Sequence, residues 1–165
     1  MASTSIFQII TPSDPEQQPI YPTRSIFLAG PTEISWREDF IAALRQRLTA
    51  TSLTIFDPFQ PRWDSTWRED VDEDPRFAAQ VGWELAAQDR ATAVAVFFHA
   101  DSRAPVSLLE LGLCARSGKA VVGCEPGYWK RGNVQAVCRR YGVPLADSLG
   151  GLADIAAEKL RGSKA

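Results

Sequence analysis

Along the chain, short unbroken apolar runs alternate with longer segments in which apolar residues return every three or four positions. Four runs read as strands: "SIFLA" from Ser25 to Ala29, "LTIFDP" closed by Pro58, "ATAVAVFF" from Ala91 to Phe98, and "KAVVGC" from Lys119 to Cys124. "GVPLA", Gly142 to Ala146, predicts a short fifth strand. The segments between them have helical spacing. "SWREDFIAALRQRL" sets Trp36, Phe40, Ile41, Leu44 and Leu48 on one face, with Ser35 where an N-cap belongs. "FAAQVGWELAAQDR" predicts a helix, and Ser107 opens another that runs through Arg116. A further helix is expected from about Asn133 to Tyr141, and "LGGLADIAAEKLR" closes the chain as the last one.

Strands that are apolar throughout, rather than alternating, belong to a parallel sheet covered on both faces. The expectation is therefore a single doubly wound α/β domain, flavodoxin-like or Rossmann-like, with a mainly parallel sheet of 4–5 strands. The domain is expected over residues 24–165, and residues 1–23 read as an extended lead-in. Within that lead-in, "TPSDPEQQPIYPT" carries four prolines, and Ile6 to Ile10 gives only a weak signal for an edge strand. Ligands of such sheets bind at the carboxyl ends of the strands, near the switch point. Topology thus brings together the "AGPT" turn, the loop after Phe56, and the turn "HADSRAPVSLLE".

The last of these holds Glu110, a carboxylate among Leu108, Leu109, Leu111 and Leu113. Ser107-x-x-Glu110 has the form of a capping box, with Ser107 as N-cap. A carboxylate held at a helix N-terminus is expected to stay ionised, and beside a pocket it can attack an electrophilic sugar carbon. Glu84 falls at the shoulder of the Phe77/Val81/Leu85 face, and reads either as a solvated helix glutamate or as the second carboxylate of a glycosidic pair. The irregular stretch from Phe59 to Pro75 holds Trp63 and Trp67, suited to stacking on a nucleobase or to covering the sheet edge. Its acidic run from Glu69 to Asp74 reads as a solvated face rather than a metal site. In "GYWKRGNV", Lys130, Arg131 and the N-cap candidate Asn133 could receive a phosphate or carboxylate, or simply form a turn. Cys114 reads as a buried helix cysteine.

Composition narrows the classes. A net charge of −2 gives no basic surface for nucleic acid or an anionic membrane, and no apolar run reaches the length of a membrane span. The amino terminus lacks the plan of a signal peptide. Three cysteines without a CxxC pair fit reduced intracellular thiols, and one histidine, His99, leaves no His-rich metal site. A cytoplasmic protein working without metal or other cofactor is expected.

Taken together, "SIFLAGPT", "WDSTWRED", "QVGWEL", "PVSLLELGLCARSGK" and "GYWKRGNVQAVCRRYG" resemble the nucleoside 2-deoxyribosyltransferase-like family, its fungal members above all. The resemblance runs from about Ser25 to Val143. It implies that Glu110 attacks the sugar C1′ and forms a glycosyl-enzyme, and that Glu84, eight positions before Thr92, is general acid/base to the nucleobase. It also implies a homo-oligomer and a nucleoside or nucleotide as partner. Glu84 stands where characterised transferases carry aspartate. Ala104 occupies the place of another usual aspartate, with Asp101 on the same turn as a substitute, and the first turn reads "LAGPT". Gly30, Pro31 and Thr32 would line the sugar end, and Trp63 or Trp67 would face the base, with Asp101, Ser107, Lys130, Arg131 and Asn133 as further binding residues. The expected function is cleavage or transfer at the N-glycosidic bond of a (deoxy)nucleoside or its monophosphate. The alternatives are a non-catalytic nucleotide sensor, or the same fold recruited to another small-molecule reaction.

Overall fold

The structure, a computed structural model, describes residues 5–162. Six strands form one parallel sheet: β1 (Phe7–Ile10), β2 (Ser25–Ala29), β3 (Leu53–Phe56), β4 (Ala93–Phe98), β5 (Ala120–Cys124) and β6 (Leu145–Ala146). The helices are α1 (Arg37–Arg47), α2 (Pro75–Arg90), α3 (Pro105–Cys114), α4 (Arg131–Tyr141) and α5 (Leu149–Gly162). The α/β doubly wound class agrees with the apolar pattern, but the sheet has six strands rather than 4–5. The extra strand is β1, an edge element whose Ile10 alone is fully buried, so its pattern is weak. The sheet thus reaches into the first 23 residues.

Strand order is β1-β3-β2-β4-β5-β6. Successive residues of a strand face opposite sides. On β4, Val94, Val96 and Phe98 enter one core, with Leu111 of α3 and Val134 of α4. Ala93, Ala95 and Phe97 enter the other, with Phe40 of α1 and Leu152 of α5. This double burial is why β4 shows no polar alternation. The chain leaves β2 for β3 through α1, then crosses back over β2 through α2 to reach β4. The switch point therefore lies between the carboxyl ends of β2 and β4.

Helix starts depart from the sequence expectation. Trp36, not Ser35, is the N-cap residue of α1, and no side chain caps that end. Asp74 caps α2 by accepting from Arg76 N–H, so the last residue of the acidic run is buried rather than solvated. Helix α3 begins at Pro105, whose fixed φ and missing N–H suit a first helical position. Ser107 is therefore inside the first turn, and the capping box does not form. Likewise α4 begins at Arg131 after Lys130, and Asn133 is not its cap.

The β2 turn is set by packing. A Cβ at Gly30 would lie 2.4 Å from the Trp36 ring, which is buried under the turn. Gly30→Ala is expected to destabilise the fold by about 1–3 kcal/mol through overpacking. Gly82→Ala, in open space on α2, should stabilise it by about 0.5–1 kcal/mol. Urea unfolding midpoints of the two variants check this, and equal shifts would contradict it.

Candidate active site

The polar groups at the switch point are held from four directions. From α1, Arg37 reaches up to the turn after β2, donating from Nη1 to the Pro31 carbonyl at 3.0 Å and from Nη2 to the Gly30 carbonyl at 3.2 Å. Trp36 Nε1 donates to the same Pro31 carbonyl at 3.0 Å. Asp57, the first residue after β3, lies 3.3 Å from Arg37 Nε, close enough for an ion pair but out of hydrogen-bond alignment. From α2, Gln80, Glu84 and Gln88 form a stripe at four-residue spacing, so they share one helix face. Gln80 Nε2 donates to Glu84 Oε1 at 2.8 Å and to the Pro58 carbonyl at 2.9 Å, joining the carboxylate to the loop after β3. From α3 comes Glu110, whose Oε1 accepts from Gln88 Nε2 at 3.0 Å.

Helix α2 turns its polar stripe inward. Gln80 and Gln88 are buried and Glu84 half-buried, while Leu85 is 46% exposed. The Phe77/Val81/Leu85 face inferred from the helical wheel is thus not the buried one. Two carboxylates under the sheet edge need donors, and the two glutamines supply them.

Burial governs the protonation of the pair. Desolvation, followed by the charge of Glu84, pushes the Glu110 carboxyl up to about 8, against the pull of Arg37 and the Gln88 hydrogen bond. Desolvation also raises Glu84, opposed by the Gln80 hydrogen bond and by Arg37. The expectation of a carboxylate kept ionised by a helix N-terminus is therefore corrected: Glu110 sits in the second turn, and burial outweighs the dipole. Burial also lifts the Cys114 thiol, one turn further along α3, to about 12, so it is no nucleophile at neutral pH.

The other expected residues divide. Pro31 is buried and Gly30 half-buried at the switch point, while Thr32 is exposed beyond them. Ser107 is buried in the first turn of α3, and Asp101 is exposed on the preceding turn. The Trp63 and Trp67 rings stack on each other at 4.8 Å, with Arg76 over Trp67 at 5.1 Å and Phe77 edge-on to Trp63. Trp67 also walls a groove of about 420 Å³ that Gln60, Gln80 and Trp83 line, so this groove meets the carboxylate stripe at Gln80. Arg131 is committed to the Cys124 carbonyl and to Asp147, which leaves it as a strap between β5 and the loop before α5. Lys130 lies 4.5 Å over the Trp129 ring and Asn133 is exposed. Sequence reasoning missed Arg37, Asp57, Gln80 and Gln88. Asp57 had a signal, its place directly after a buried strand; the glutamine spacing around Glu84 was another.

Ala104, in the place of the expected aspartate, has a left-handed backbone with φ 41° and ψ 53°. It is the one non-glycine residue with positive φ among the described residues. Such a backbone favours Gly, Asn or Asp, and costs alanine about 1–2 kcal/mol. The turn is held by Tyr128 and Trp129, whose side chains donate to the Arg103 carbonyl at 2.8 and 2.9 Å.

The sequence pattern of the nucleoside 2-deoxyribosyltransferase-like family matches residues 23–128, the span from the start of β2 to the segment after β5. The chain belongs to this family. A comparison with curated proteins gives no match. The matched span contains every residue of the buried cluster: Arg37, Asp57, Gln80, Glu84, Gln88 and Glu110.

Because Glu110 binds its proton more tightly folded than unfolded, its contribution to stability is complete below pH 4.5 and is lost as pH rises through about 8. Within that window the expected slope is about 1 kcal/mol per pH unit. Glu110→Gln should flatten the decline between pH 5 and 8.5. Urea titrations at several pH values measure it, and parallel curves for both proteins would contradict the buried-carboxylate account.

Proposed function

We propose that this family member cleaves or transfers at the N-glycosidic bond of a (deoxy)nucleoside or its monophosphate, through a covalent intermediate on Glu110. The observation that carries the reading is the carboxylate pair at the switch point, buried Glu110 and half-buried Glu84, with the Arg37 charge acting on both. A Glu110 oxygen bonds to C1′ as the C1′–N bond breaks, and the base nitrogen takes the proton of Glu84. Water or a second base then attacks C1′, releasing Glu110 and returning a proton to Glu84. The productive species is the minor form of the singly protonated pair: the proton, which burial favours on Glu110, has passed to Glu84, and Glu110 is the charged nucleophile. The groove walled by Trp67 and Trp83 receives the base, and the Gly30–Pro31 turn lies against the sugar.

The singly protonated pair disappears as pH rises through about 8, and at low pH it gains a second proton. A bell-shaped kcat/KM with its alkaline limb near 8 is therefore expected. Incubation with deoxynucleosides and their monophosphates should release free base, and intact mass should show a pentosyl adduct absent from Glu110→Ala. Glu84→Gln should slow release by about 100-fold or more. Equal nucleotide binding by wild type and Glu110→Ala, with no base released by either, would instead support the second reading, a non-catalytic nucleotide sensor. The observation favouring that reading is Ala104, which leaves the turn before α3 without the expected carboxylate.

The reading extends to assembly and location. Val106, Leu109 and Leu113 are 59%, 65% and 58% exposed, and their three- and four-residue spacing puts them on one face of α3. This face suits a second copy of the chain, which would sit one residue from Glu110 in sequence and could complete the site. Leu109→Asp combined with Leu113→Asp should convert the assembly to monomer in light scattering. A wild type that is already monomeric would remove this part. Three buried thiols, Cys114, Cys124 and Cys138, fit the reducing cytoplasm, and no helix among the described residues is long and apolar enough to cross a membrane.

A further inference from the structure

Arg37 takes no part in the bond changes above, yet it is the cation whose charge acts on both carboxylates. It is buried, and its two Nη atoms are used by main-chain carbonyls of the β2 turn. Its Nε faces Asp57 at 3.3 Å, and the Trp36 ring lies 4.9 Å from its centre. A guanidinium so held cannot swing toward one carboxylate or the other. Unlike lysine, it also does not shed its proton when buried.

We propose that Arg37 is the positioning residue of this site: clamped by the Gly30 and Pro31 carbonyls and by Asp57, its fixed buried charge sets the pH window in which Glu84 and Glu110 share one proton. The charged and titratable groups that act on the pair, or share the Arg37 charge with it, come from α1, α2, α3 and the end of β3. Arg37 comes from α1, Asp57 follows β3, Glu84 comes from α2, and Glu110 and Cys114 come from α3. Cys114 stays neutral through the window, which leaves three carboxylates facing one guanidinium. Removing the guanidinium leaves the pair with no opposing charge. Removing the Asp57 charge instead frees more of the Arg37 field for the pair. The two changes therefore move the window in opposite directions, which a merely structural role would not produce.

The kinetic arm of the test rests on the glycosidic reading, and the spectroscopic arm does not. Carboxyl resonances of ¹³C-labelled glutamate are titrated by NMR in wild type, Arg37→Met, Arg37→Lys and Asp57→Asn. Arg37→Met should raise the Glu84/Glu110 midpoints by about one pH unit or more, Asp57→Asn should lower them, and Arg37→Lys should restore most of the wild-type position. The limbs of kcat/KM for base release should follow. If wild type releases no base, the functional reading fails while the NMR midpoints still decide the role of Arg37. If Arg37→Met does not fold, the downward shift in Asp57→Asn decides it. Midpoints that stay put, or move the same way in both variants, overturn the proposal.

Discussion

Arg37 spans the distance between α1 and the carboxyl edge of the sheet, donating to the Gly30 and Pro31 carbonyls while pairing with Asp57. A buried guanidinium is costly unless its donors are met and a counter-charge lies close. These needs shape the neighbourhood: the β2 turn presents two carbonyls to the Nη atoms, Asp57 follows β3 beside Nε, and the Trp36 ring lies 4.9 Å from the guanidinium. Gly30 follows from this, because the indole occupies the space of any side chain there. The floor of the site is thus one interlocked unit drawn from β2, α1 and β3.

On that floor, the two glutamates are neighbours that cannot both be charged cheaply. Desolvation raises both, the charge of Glu84 adds to it at Glu110, and the glutamines and Arg37 hold them back. Such a balance keeps a proton on the buried Glu110 near neutrality, with Glu84 raised beside it. It also explains the inverted polarity of α2. The inward face is given to Gln80, Glu84 and Gln88, and apolar Leu85 is left outside.

The fold was legible because β2 to β5 are buried on both faces, and continuous apolar runs have few other meanings. β1 and the two-residue β6 were fainter, since an edge strand needs only one well-buried residue and pairing can be brief. Of the site, Glu84 and Glu110 stood out, the second as a charge in an apolar run and both through family spacing. Arg37 did not, because "SWRED" reads as an ordinary charged helix start. Only the turn of the chain between β2 and β3 brings that arginine under the strand ends. The capping box failed for a local reason: Ser107 has the right spacing, but Pro105 starts the helix earlier.

Ala104 is where the local rules and the site disagree. A left-handed alanine costs about 1–2 kcal/mol. Two aromatic donors to the Arg103 carbonyl return about 1 kcal/mol each. The turn therefore keeps its shape without help from the side chain at 104. That shape matters because it starts α3 at Pro105 and so places Glu110 in the second turn, beside Gln88 rather than at the exposed helix end. A helix begun at Ser107 would have put the carboxylate in the first turn, where the dipole would hold it ionised. The strained residue and the raised carboxyl are thus two consequences of one backbone path.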